Sequence, residues 1–257
     1  MNTTLSEAII LGGQVEKIAE TVKHLDVVIC PPSVFIYPIF ERLRAKPNNF
    51  FFGTQNIMWE DEGAFTGEVS VQMIRGVCRF AIIGHSERRR IFKETDEDVN
   101  KKVLFALSKG LNVIICVGEQ ERFHLEDHYQ SELQRMKKQG GILSQVEKAL
   151  KGVRSSDLDK VTISYEPIWA IGTGNAATGA YAAAICHIIK EQLKAVYSDV
   201  GLQVRLLYGG SVSASNIKEF MMQPSIDGLL VGGASLKLGE FRKICQIASE
   251  VKSGRLI

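Results

Sequence analysis

Short apolar runs of strand type alternate with longer stretches of helical period along the whole chain, and no half is strand-rich or helix-rich. The chain opens on a helical pattern: Leu5, Ala8, Ile9, Val15, Ile18, Ala19 and Val22 fall on one face. Strand-like runs follow at 27–30, 50–53, 80–83, 113–117, 161–165, 204–207 and 228–231, each succeeded by a helical stretch. Parallel strands cannot be joined by a tight turn and need a crossover, so repeated βα units imply a parallel sheet. Strands this short and apolar on both faces fit a closed barrel. An open doubly wound sheet is the competitor, weakened because no GxGxxG turn follows the first strand. The expected fold class is α/β, a (β/α)8 barrel, and residues 1–257 form one domain because no linker or composition shift divides them. Seven strands is an awkward number, because such a sheet closes well with eight and a missing strand leaves two unpaired edges. The orphan first helix implies that a further strand precedes Met1.

Composition excludes several classes. The chain carries 31 basic and 29 acidic residues, a net charge of +2, which is no footprint for nucleic acid. Cys30, Cys78, Cys116, Cys186 and Cys245 lack CxxC spacing and read as reduced core thiols, which suits the cytoplasm. No apolar run reaches the ~20 residues that span a bilayer, and the first residues lack the pattern of a signal peptide. His124 and His128 lie four apart on an expected helix and would share a face. No HExxH motif or third ligand accompanies them, so neither a metal nor a cofactor is expected.

Functional groups of barrels sit just past the C-terminal ends of strands. There the chain places Gly84-His85-Ser86-Glu87-Arg88-Arg89, Cys116-Val117-Gly118-Glu119, Glu166-Pro167-Ile168-Trp169-Ala170-Ile171-Gly172-Thr173-Gly174, Tyr208-Gly209-Gly210-Ser211-Val212 and Val231-Gly232-Gly233-Ala234-Ser235. With Gly63-Ala64-Phe65-Thr66-Gly67-Glu68, these stretches resemble the triosephosphate isomerase family over nearly the whole chain, in order and each at its expected place.

The resemblance implies a TIM barrel that interconverts dihydroxyacetone phosphate and glyceraldehyde 3-phosphate through an enediolate. Glu166 is the expected base, since a desolvated carboxylate can take a weakly acidic proton from carbon. His85 is the expected electrophile, a neutral imidazole donating to the substrate oxygen, and Glu87 the third catalytic candidate. Gly172, Ser211, Gly232 and Gly233 are expected to bind phosphate, because glycines let backbone N–H groups approach its oxygens. Pro167 to Gly174 resembles the family's closing lid, and the loop from Gln55 to Glu68 its dimer loop, which implies a homodimer. The family's Asn-x-Lys motif at its first strand is absent, with Met1-Asn2 aligning just after it. Two alternatives stand beside this reading: an isomerase of a four-carbon ketose phosphate, and a non-catalytic phosphate-binding barrel. If a strand precedes Met1, protein from its natural source has an intact mass above that of residues 1–257. A mass that starts at Met1 removes the expectation.

Overall fold

The first helix is set by its entry. The Thr4 hydroxyl accepts from the Glu7 amide at 3.4 Å, and the Glu7 carboxylate accepts from the Thr4 amide at 2.7 Å, so two otherwise unpaired N–H groups are satisfied together. In the computed structural model, which describes residues 1–43, 47–171 and 176–254, this cap begins α1 (Leu5–Thr21). Its buried stripe includes Ala8, Val15, Ile18 and Ala19. A Cβ at Gly12 would stand 2.7 Å from Ile39 of α2 (Ser33–Arg42), so the glycine lets the two helices pack closely.

The described strands are β1 (Val27–Ile29), β2 (Phe50–Thr54), β3 (Cys78–Ile83), β4 (Asn112–Val117), β5 (Val161–Tyr165), β6 (Arg205–Tyr208) and β7 (Gly228–Leu229). They form one parallel sheet in the order β1-β2-β3-β4-β5-β6-β7, each strand paired with its chain neighbour. The crossovers carry α2, α3 (Val71–Ile74), α4 (Ser86–Ile91), α5 (Asp96–Ser108), α6 (Leu125–Lys137), α7 (Ile142–Ala149), α8 (Gly179–Tyr197) and α9 (Ile217–Met221), and α10 (Leu238–Lys252) follows β7. A second capping box, Thr95 with Asp98, starts α5 where the acidic turn predicts a helix start.

Alternation along the strands separates two apolar layers. Phe80, Ile82, Ile114 and Cys116 point inward, with Val28, Cys30, Phe51, Leu207 and Leu230 around them. Ala81, Ile83, Val113, Ile115, Val117, Ile163 and Tyr165 pack outward among the helices with Val99, Val103 and Ala106. Burial on both faces of a curled parallel sheet is the packing of a TIM barrel.

The structure departs from the expected pattern in particular places. The strand expected at 228–231 pairs only over Gly228–Leu229. His124 is the residue before α6, and His128 has non-helical backbone (φ −136°, ψ 34°). The two histidines therefore do not ride one continuous helical face, which corrects the expected i, i+4 geometry.

Cys78, Cys186 and Cys245 are buried, and burial pushes each thiol up to about 12. Cys116 is raised well above the ordinary value, chiefly by burial and next by the Glu166 carboxylate. These thiols are expected to resist alkylation of the native protein at pH 8 and to react on unfolding, as titration with and without denaturant can check. Because their folded pKa values lie above the unfolded value of about 8.5, the stability they contribute is complete below that pH. It is lost as pH rises through about 12.

Candidate active site

The site is built where β3, β4, β5 and β6 end. Gly84 closes β3 with φ +74°, a left-handed conformation that suits glycine, and turns the chain into α4. His85 is the residue before that helix, and the Glu87 amide donates to His85 Nδ1 at 3.3 Å. A ring nitrogen that accepts an N–H carries its lone pair there, so this bond assigns the ring proton to Nε2 and leaves the imidazole neutral.

Glu166 follows β5 and is 1% exposed. Its Oε2 accepts from the Ser86 amide, the first of α4, at 3.0 Å. Its Oε1 stands 3.3 Å from His85 Nε2, in contact but without a hydrogen-bond alignment, and no aligned hydrogen bond reaches this buried oxygen. An imidazole N–H and a carboxylate lone pair thus face one point at the barrel mouth.

Backbone packing holds this pair in place. A Cβ at Gly118, just past β4, would lie 1.8 Å from the Glu166 carbonyl oxygen. A Cβ at Gly209, just past β6, would lie 2.9 Å from Glu166 Cγ. Two neighbouring chains therefore approach Glu166 more closely than any side chain allows. Gln145 of α7 fixes the Gly118 peptide from both sides, accepting from its N–H at 3.0 Å and donating to its carbonyl at 2.9 Å.

Past Glu166, residues Ile168–Ala170 make one 3-10 turn. The Trp169 indole N–H donates to Glu119 Oε1 at 2.8 Å, and the same oxygen accepts from Tyr165 at 2.7 Å and Tyr181 at 3.1 Å. Burial raises the Glu119 carboxyl above its ordinary value, and the Tyr165, Trp169 and Tyr181 donors partly offset it. The Ser211 hydroxyl donates to the Ala170 carbonyl at 3.0 Å, so the turn after β6 also meets this segment.

Of the residues singled out in the sequence, His85 and Glu166 meet directly. The Glu87 amide contacts His85, while its carboxylate is 68% exposed and stands 3.9 Å from Nδ1. Ser211 lies at the same mouth, and a side chain at Gly232 or Gly233 would meet nothing within 4 Å, so the backbone there faces open space. Gly172 lies outside the described residues, as do the other lid positions 173 and 174. Sequence reasoning assigned no role to Glu119 or Gly118; their one signal was the Cys116-Val117-Gly118-Glu119 stretch at a strand end. Among the described residues no group of three or more His, Cys, Asp and Glu could hold a metal ion, and no helix is long and apolar enough to cross a membrane.

A parallel α/β barrel with a buried carboxylate and an imidazole converging at the C-terminal ends of its strands defines an acid–base enzyme of the barrel class. The comparisons narrow that class: the family model described as triosephosphate isomerase matches residues 1–248, and the chain belongs to that family. It is 44% identical over 248 residues to a triosephosphate isomerase of Caldanaerobacter subterraneus subsp. tengcongensis, covering 95% of this chain and 94% of the relative. It is 40% identical over 254 residues to one of Dehalococcoides mccartyi, covering 98% and 95%. It is 43% identical over 238 residues to one of Carboxydothermus hydrogenoformans, covering 91% and 90%.

Gly118→Ala is expected to destabilise the protein by about 1–3 kcal/mol through overpacking and to displace the Glu166 backbone. Urea unfolding with an activity assay checks both effects. Wild-type stability and activity in this variant would show that the Glu166 segment can retreat freely.

Proposed function

We propose that this chain interconverts dihydroxyacetone phosphate and D-glyceraldehyde 3-phosphate, with Glu166 as the carbon base and His85 as the electrophile. The observation that carries the reading is the contact of the unpartnered, buried Glu166 Oε1 with His85 Nε2 at 3.3 Å. Oε1 takes the proton from the carbon beside the carbonyl, and Oε2 stays bound to the Ser86 amide. His85 hydrogen-bonds its Nε2–H to the carbonyl oxygen and stabilises the negative charge that develops there as the enediolate forms. Moving protons between the two oxygens and returning the carbon-bound proton to the neighbouring carbon complete the exchange. A neutral imidazole suits this role because its single Nε2–H can donate to either oxygen of the enediolate.

The phosphate of the substrate is assigned to Ser211, Gly232 and Gly233, together with Gly172 of the lid. The open space beside the two glycines, where a Cβ would meet nothing within 4 Å, supports this assignment. The segment beginning at Pro167 acts as the lid, and within it Trp169 donates to Glu119. We also infer a homodimer formed through the loop from Gln55 to Glu68, whose Phe65 is 41% exposed. A cytoplasmic location fits an enzyme of glycolysis and gluconeogenesis whose cysteines are all free.

Turnover of dihydroxyacetone phosphate by the purified protein tests the reading. Glu166→Gln and His85→Gln are each expected to lower kcat by about 10²–10⁴-fold with the fold intact. Full activity in Glu166→Gln would move the base elsewhere. Turnover of a four-carbon ketose phosphate alone would replace the substrate. Binding of a phosphorylated analogue without turnover of either substrate would make the barrel non-catalytic. Sedimentation equilibrium is expected to find two chains per particle.

A further inference from the structure

Arg89 is the last residue of the Gly84-to-Arg89 stretch, and its guanidinium lies beneath the turn that carries His85. Its Nε–H donates to the Gly84 carbonyl at 2.8 Å. Nη1 donates to Asp96 Oδ1 at 2.6 Å, and Nη2 reaches the Cys116 carbonyl at 3.4 Å. The side chain is 17% exposed. One planar cation thus joins three places: the end of β3, the end of β4 and the first turn of α5.

Each place bears on the reacting pair. Gly84 directly precedes His85, and a Cβ on it would meet Arg89 Nη2 at 3.0 Å and Val99 Cγ2 at 2.9 Å. Cys116 lies two residues before Gly118, whose backbone packs on that of Glu166. Asp96 is held from the other side by Lys148 of α7 at 3.4 Å. The fork therefore fixes the spacing between the strand end that bears His85 and the one against which Glu166 rests.

We propose that Arg89 is a positioning residue for the proton transfer: its fork sets the separation of His85 from Glu166, with Asp96 holding the fork in plane. The proposal rests on the assignment of those two residues as the acid–base pair. Lysine keeps the charge but offers a single compact ammonium, which cannot reproduce the planar geometry of three divergent donors. A displacement of about 1 Å in such a pair costs about 10²-fold in rate.

The test uses the whole chain. Arg89→Lys is expected to lower kcat about 10-fold and Arg89→Met about 10²-fold, with KM changed by less than about two-fold, because the substrate contacts remain. Lys190→Met is the comparison. Lys190 likewise ties carbonyls, those of Leu202 and Val204 at 2.7 and 2.6 Å, but at the opposite end of the barrel. It should lose stability and keep kcat within about two-fold. Histidine ring ¹⁵N signals give a second readout, with those of His85 assigned by their loss in His85→Gln. Both Arg89 variants should shift them, and Lys190→Met should not. If Arg89→Met does not fold, Arg89→Lys decides. A kcat for Arg89→Lys within about two-fold of wild type, or unmoved His85 signals, overturns the proposal. If the wild-type protein turns over no triose phosphate, the acid–base assignment fails, and the ring signals alone still decide whether Arg89 positions His85.

Discussion

A carboxylate withdrawn from water must find donors, and Glu166 finds one aligned donor 80 residues away in the chain, the Ser86 amide. That single bond joins the end of β5 to the start of α4. It settles which carboxylate oxygen is occupied and which is left facing His85. The remaining features of the mouth make the arrangement possible. Gly84 turns the chain so that Ser86 points at Glu166, the Glu87 amide fixes the imidazole, and Gly118 and Gly209 let two backbones close around Glu166.

Around this centre lies a wider set of polar groups whose work is to keep things still. Glu119 gathers three donors on one oxygen, two from tyrosines of the scaffold and one from Trp169. Gln145 clamps the Gly118 peptide. Arg89 and Asp96 join strand ends that the ladder leaves behind. Few of these groups touch the reacting point, yet each removes a freedom that the reacting groups would otherwise have. Preorganisation of this kind would meet the geometric requirement of the proposed proton transfer before substrate arrives.

The fold was legible because its signal is repetitive. Each βα unit carries its own periodicity, and seven of them agree. Boundaries moved where ladder bonds, not apolar runs, decide the end, as at β7. His124 and His128 misled because local polarity hid a break in the helix. In the site, His85 and Glu166 were legible from their strand-end motifs. Glu87 was only half legible, because its residue type suggested a carboxylate and its backbone makes the contact. Glu119 could not be assigned from spacing, since its partners Tyr165, Trp169 and Tyr181 lie 46, 50 and 62 residues away and only folding gathers them.

The strand order has a consequence for how this molecule comes into being. Because each of β2 to β7 pairs with the strand made just before it, the sheet can lengthen in step with synthesis. Each βα unit after the first finds an edge already laid down to pair with. Parallel pairing is slow to nucleate, since a crossover must be closed before any ladder bond forms. Sequential addition divides that delay into short loop closures, each built on a finished edge.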